Sequence, residues 1–283
     1  MSGSAKQPMK SLIRPAAAAL VLAALYSVPA ASAEASWPGL RSELFGDRFL
    51  AVSDDVISID APYRTGNDAR TDLVVRLAAP EGHAFKGLHL ILDENPMPVS
   101  AELSFAQPLA TFEFAATMRF NGATPVHVVG ELENGQLFVA ETFVKTSGQG
   151  ACAAPPGTDP EKALATLGQM ELVLRPREDA ASLVRNLRAG RPNDLALDVK
   201  MSHPSHSGMQ RDQISLLYIP MRYVETLDID LNGAPFVTMT GSISLSENPQ
   251  VTVTVPTGTK RVRAQLTDTD GTTSEVERVL ADY

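Results

Sequence analysis

Short runs of alternating apolar and polar residues, broken by turn formers about every ten residues, dominate the chain from Val56 onward and point to antiparallel β-structure. Strands are expected over 56–59, 71–77, 87–93, 101–105, 112–119, 124–132 and 137–145. Asn134-Gly135 predicts a tight two-residue turn between the last two. Val126, Val128, Phe138 and Ala140 then fall on faces suited to a half-buried hairpin.

Composition changes sharply at Thr146, where a stretch of small residues, Gly and Pro runs to Gly157 and offers nothing to a core. Asp159 suits a helix N-cap, Pro160 the first helical position and Glu161 the positive helix end, so a short helix is expected over 160–167. A second helical stretch fits 179–188, and Gly190, Pro192 and Asn193 close the connection. Strand patterns return over 195–200, 223–231, 236–244, 251–255, 262–267 and 273–280, with hairpin signals at Asn232-Gly233 and Asp270-Gly271. The expectation is an all-β protein: two immunoglobulin-like β-sandwich domains, 34–147 and 193–283, joined by a cysteine-bearing linker, 148–192, with a short helix. The paired cysteines of antibody domains are absent, since the chain has 1 Cys.

Residues 1–33 have the form of a secretory signal peptide: Lys6, Lys10 and Arg14, then an apolar run from Ala16 to Val28, then Ala31-Ser32-Ala33 for cleavage. The apolar run falls short of the roughly 20 residues that cross a bilayer, so no membrane span is expected and the destination is periplasmic. Removal of the signal leaves 21 of the 24 basic residues against 33 acidic ones, a charge of about −12. That balance excludes nucleic acid as a partner. Trp37 and Phe45 are placed to staple the leading segment onto the first domain.

Cys152 is the one position with nucleophilic chemistry and an unusual setting. An odd cysteine in an exported protein is buried and inert, paired with another molecule, or a working thiol. Gly148, Gly150, Ala151 and Ala153 give the segment small side chains and freedom to enter a narrow cleft with the sulfur at its tip. An enzyme nucleophile needs a rigid position beside a base, and no basic side chain lies within six residues of Cys152. A thiol near its reference pKa of about 8.5 is only a few per cent thiolate at neutral pH, so activation would fall to a partner.

The second candidate is the polar loop after the first strand of the second domain, where His203, His206, Met209, Gln210 and Asp212 belong to a docking loop or, with Pro204 and Gly208, to a structural turn held by its own hydrogen bonds. Its histidines, Met209 and Asp212 could ligate a transition metal, but no third ligand at diagnostic spacing supports a metal site, and none is assigned. His83, His89 and His127 share no spacing and fit surface or strand-face positions. No phosphate-cradling loop, paired-cysteine metal site or serine elbow occurs, and no cofactor is implied.

These residues resemble a known family. Leu92-Asp93-Glu94-Asn95-Pro96-Met97-Pro98 and Val144 to Cys152 resemble the last strand and cysteine arm of SoxY, a carrier of periplasmic sulfur oxidation. Ser202-His203-Pro204, Gly208, Arg211-Asp212, Leu231-Asn232-Gly233 and Ser244 to Pro249 resemble SoxZ. His203 to Gln213 with Tyr218-Ile219-Pro220 is similar to fused SoxYZ-like carriers associated with quinoprotein dehydrogenases. In SoxY the arm ends the chain in Gly-Gly-Cys-Gly-Gly and its cysteine holds sulfur intermediates while enzymes act on them. Here the arm reads Gly-Gln-Gly-Ala-Cys-Ala-Ala and continues into the second domain.

The resemblance implies a non-enzymatic carrier with Cys152 as the attachment site. Its partners would be periplasmic enzymes acting on the carried group, with a quinoprotein dehydrogenase or a c-type cytochrome among the candidates. A non-covalent docking or metallochaperone module and a cysteine-dependent enzyme are the competing classes.

Overall fold

The structure, a computed structural model, describes residues 36–148, 151, 164–177, 194–211 and 215–280. In chain order the elements are α1 (Trp37–Phe45), β1 (Leu50–Val52), β2 (Ile57–Asp60), β3 (Thr71–Ala78), β4 (Phe85–Leu92), β5 (Val99–Leu109), β6 (Thr111–Met118), β7 (Thr124–Leu132) and β8 (Leu137–Val144). They continue as β9 (Met170–Pro176), β10 (Leu195–Met201), β11 (Val224–Leu231), β12 (Ala234–Gly241), β13 (Gln250–Val255), β14 (Arg261–Asp268) and β15 (Thr273–Val279). Alternation sets the faces: Leu73, Val75 and Leu77 of β3 point inward, as do Leu227, Ile229 and Leu231 of β11. Thirteen of these strands match the expected runs to within a few residues, and the protein is all-β as expected.

The strands form two facing sheets. One runs β1-β8-β7-β4-β5-β12-β11-β14-β15 and the other β2-β3-β6-β13-β10-β9. Strands from the two halves of the chain pair once in each sheet. β5 joins β12 from Phe105↔Val237 to Ala101↔Gly241, and β6 joins β13 from Phe114↔Val253 to Ala116↔Val251. Leu103, Phe114, Val237 and Val251 therefore lie in one continuous apolar core within the compact unit Ser36–Tyr283. Open edges explain the join: apart, the two halves would expose the unpaired backbone of β5, β6, β12 and β13.

All three hairpin signals join paired strands, but the turn at Asn134-Gly135 differs from the two-residue expectation. Asn232 and Gly233 both have positive φ, 53° and 85°, and directly link Leu231 to Ala234, as a two-residue turn of the favoured hand requires. At Asn134-Gly135 and Asp270-Gly271 only the glycine has positive φ, and Gly135 N–H and Gly271 N–H donate to Leu132 O and Asp268 O. Each of these is a three-residue loop closed by a glycine bulge.

Three elements were not foreseen. β1 lies parallel to β8 at the sheet edge, and β9, within the stretch read as linker, extends the second sheet beside β10. α1 packs on the outer face of the larger sheet, where Phe45 joins Leu50, Ile91, Val129, Leu137 and Val139. Pro38 and Gly39 in its first turn hide this helix from propensity. The expected staple is present: Trp37 stacks on His127 with ring centroids 3.7 Å apart, and Phe45 meets His89 edge-on at 5.4 Å. Of the expected helix over 160–167, Leu164 and Ala165 are helical and residues 160–163 lie outside the described residues, as does 179–188. Among the described residues no helix is long and apolar enough to cross a membrane.

Candidate functional site

The arm leaves the body at the end of β8. Lys145 N–H donates to Tyr63 O and Thr65 N–H to Lys145 O, both at 2.8 Å, which ties the strand end to the loop before β3. Two residues on, the buried carboxylate of Asp68 takes over. Its Oδ1 accepts from Ser147 N–H at 2.6 Å and from the Thr65 hydroxyl, and its Oδ2 accepts from Gly148 N–H at 3.2 Å. Thr65 Oγ1 also accepts from Ser147 N–H at 3.2 Å. An ionised carboxylate satisfies several amide donors at once, and in a dry site such bonds are strong. Gly148 sits at φ +90°, a conformation that favours glycine. Ala151, the residue before the thiol, is 0 % exposed. Cys152, Gly150 and Ala153 lie outside the described residues.

The arm root is joined to the second half of the chain by a buried polar seam. Phe120 N–H donates to Asp68 O, and the neighbouring Arg119, the largest fully buried side chain among the described residues, donates through Nη1 to Ser205 O at 3.1 Å and Ile243 O at 2.8 Å. Asn95, from the segment that resembles SoxY, donates through Nδ2 to Arg119 O and Ser244 Oγ, and its Oδ1 accepts from Asn121 N–H. Arg70 Nη1 donates to Glu247 O at 2.9 Å and Asn248 O at 3.0 Å. Two of the segments that carry the resemblance, 92–98 and 244–249, therefore meet beside the root of the arm.

The loop after β10 adjoins this seam, and much of it faces inward. His203 is buried: its Nδ1 accepts from Ser205 N–H at 3.0 Å, which leaves the ring proton on Nε2, facing Asp268 Oδ2 at 3.5 Å. Burial pushes the His203 pKa down to about 4, outweighing the pull of Asp268, while Arg222 holds Asp268 below the usual carboxylate range against its own burial. His203 is thus a neutral structural hub. His206 Nδ1 meets Gln210 Oε1 at 3.0 Å, with Gln210 buried and Met209 half-buried. Asp212 lies outside the described residues. What this loop offers to solvent is the run that follows, Leu216, Leu217, Tyr218 and Met221, all exposed. Among the described residues no three of His, Cys, Asp and Glu gather as a metal-binding group.

His89 and His127 occupy strand faces and His83 the surface, as expected, but one of them is far from solvent. His127 is 2 % exposed beneath Trp37, with Nδ1 at 2.9 Å from Asp93, and His89 lies diagonally across the β4–β7 pair on the same outer face. Only His83 is plainly on the surface. Asp68 and Arg119 escaped sequence reading altogether. Gly66-Asn67-Asp68 reads as any polar turn, and nothing local separates the buried aspartate from its exposed neighbour.

The family model for the sulfur oxidation protein SoxY matches residues 41–152, and that for the sulphur oxidation protein SoxZ matches residues 185–278. Comparison with curated proteins finds no match. Among solved structures, the sulfur carrier protein SoxY from Chlorobium limicola f thiosulfatophilum is 23% identical, covering 39% of this chain and 90% of that one, with a TM-score of 0.34. The superoxide reductase (neelaredoxin) from Ignicoccus hospitalis is 14% identical, covering 32% and 80%, with a TM-score of 0.26. At these overlaps neither structure bears on function. The two family matches occupy the two halves that the paired sheets join, and the chain is a fused SoxYZ-like protein of sulfur oxidation.

Proposed function

We propose that the protein is a periplasmic carrier that holds a small, sulfur-containing intermediate covalently on Cys152 and presents it to partner enzymes of a sulfur-oxidation or quinoprotein dehydrogenase system. The supporting observation is that the SoxY match ends on residue 152, which is the chain's 1 cysteine. The protein itself then needs no catalytic machinery. Joining a thiosulfate-like anion to the thiol, R–SH + S2O3²⁻ → R–S–S–SO3⁻ + H⁺ + 2e⁻, requires an acceptor for two electrons, a role suited to a c-type cytochrome partner. Fusion keeps the SoxZ-like half in place without a separate subunit, because a covalent link of this kind holds the local concentration at the order of millimolar.

Intact mass under non-reducing conditions, on protein taken from its own periplasm with thiols blocked at lysis, tests the proposal. A sulfur-containing adduct on Cys152 that dithiothreitol removes, absent from Cys152→Ser, is expected. An unmodified thiol on every sulfur substrate that supports growth would sink it. No observation among the described residues favours a metallochaperone.

A further inference from the structure

We propose that the end of β8 carries a docking collar, formed by Tyr63, Arg64, Arg70, Phe143 and Lys145, that receives a partner protein whose cleft is rimmed with Asp and Glu. The inference rests on the carrier function proposed above, because an arm that enters other proteins needs a surface at its base for them to meet. The chain is acidic, with 33 Asp and Glu against 24 Lys and Arg. Elsewhere on the body Arg48, Arg76 and Arg222, for example, are neutralised by Glu131, Glu113 and Asp268. Arg64, Arg70 and Lys145 differ: among the described residues no carboxylate lies within ion-pair distance of any of them.

These cations gather where the chain leaves the sheet. Arg64 pairs with Lys145 in a parallel bridge, and its Nη1 donates to Thr146 O at 3.3 Å. Lys145 Nζ lies 5.2 Å from the centroid of the Tyr63 ring, which is 63 % exposed. Alternation about buried Val144 puts Phe143, also exposed, on the same side of the strand end as Lys145. Arg70 lies two residues after Asp68, whose carboxylate accepts from Ser147 and Gly148. Its Nη1 donates to Glu247 O and Asn248 O, so main-chain oxygens aim the guanidinium without cancelling its charge.

Exposed rings beside arginines are the residue types that anchor protein interfaces. Charge then selects the partner. The acidic body repels an acidic protein, which is attracted only where cations stand without carboxylates, so the field turns the arm's base toward the cleft before contact. A basic partner would meet carboxylates over much of the body and gain no such orientation.

A peptide of about ten glutamates, titrated into isotope-labelled full-length Cys152→Ser protein and followed by amide resonances, tests the collar. Saturable shifts should gather at Tyr63, Arg64, Arg70, Phe143 and Lys145. Raising salt from about 50 mM to about 500 mM should weaken binding at least about 5-fold, a readout that needs no collar variant. Arg64→Gln with Lys145→Gln should weaken it about 5-fold, as for the loss of two exposed ion pairs. Arg41→Gln should leave it unchanged, because Arg41 bonds to Arg48 O near Gly135, at the other end of β8. The absence of saturable shifts, shifts spread over the whole surface, or an equal loss in Arg41→Gln would overturn the proposal. So would tighter binding, through the same residues, to vesicles of phosphatidylserine and phosphatidylcholine in equal parts, which would reassign the collar to a membrane. The probe needs neither thiol nor cargo. An unmodified Cys152 by mass analysis would therefore remove the carrier reading and leave this readout standing, while a peptide that binds nowhere would remove the collar and leave any adduct on Cys152 in place.

Discussion

Lowering the pH should weaken this fold through His203 before the carboxylates of its salt bridges titrate. His203 has an ordinary pKa of 6.5 and a folded value of about 4. Because the folded value is depressed, the unfolded chain binds a proton that the native protein refuses between those two pH values. The resulting stability is fully present above pH 6.5 and is lost progressively as the pH falls toward 4. A gap of about 2.5 units corresponds to about 3 kcal/mol. Urea unfolding from pH 7.5 to pH 4, followed by circular dichroism, should show this slope in the wild type. In His203→Gln, which cannot titrate, the wild-type advantage at pH 7.5 should shrink by about 3 kcal/mol at pH 4. Parallel stability curves for the two proteins would refute the reasoning, because they would mean that His203 is not held neutral by its burial.

Arg119→Met should cost about 2–5 kcal/mol in urea unfolding, because it strips two buried carbonyls, Ser205 O and Ile243 O, of a charged donor; a cost below about 1 kcal/mol would show the seam to be unimportant. Trp37→Ala should cost about 2 kcal/mol and free α1 from the outer sheet face, exposing His127. Trp37 is also the chain's 1 tryptophan, so Phe45→Ala should shift its emission to the red if α1 is held as described. Gly241→Ala should destabilise by about 2 kcal/mol, since an added Cβ would lie 2.5 Å from Val224 O and 2.7 Å from Leu245 Cδ1; an unchanged Tm would contradict that packing. Cleavage at a protease site inserted at Thr158 should leave the two halves co-eluting on size exclusion, because β5–β12 and β6–β13 still pair; two separate folded monomers would contradict the shared core.

The strand plan was legible along the chain because period-two alternation is a local property, visible in 124–132 and 137–144 without knowledge of any partner. Elements that lack that signature were missed: α1 carries Pro38 and Gly39 in its first turn, and β1 has three residues. The candidate site divides the same way. Cys152 and its small neighbours announce themselves by residue type, whereas Asp68 looks like a turn aspartate until its carboxylate is seen beneath Ser147 and Gly148. His203 likewise reads as part of a loop at the surface, and only its burial, with Nδ1 accepting from Ser205 N–H, makes it a neutral core group against the pull of Asp268.

Sequence alone, then, determined the all-β class, the hairpin signals, the composition break at Thr146 and the identity of the thiol, all of which depend on residues a few positions apart. Tertiary structure decided that the two halves share both sheets and one core, and that the arm root is held by a residue about 80 positions away in the chain. Those outcomes depend on which open strand edges meet and which carboxylate is left dry, and both are settled only when segments distant in sequence exclude water between them.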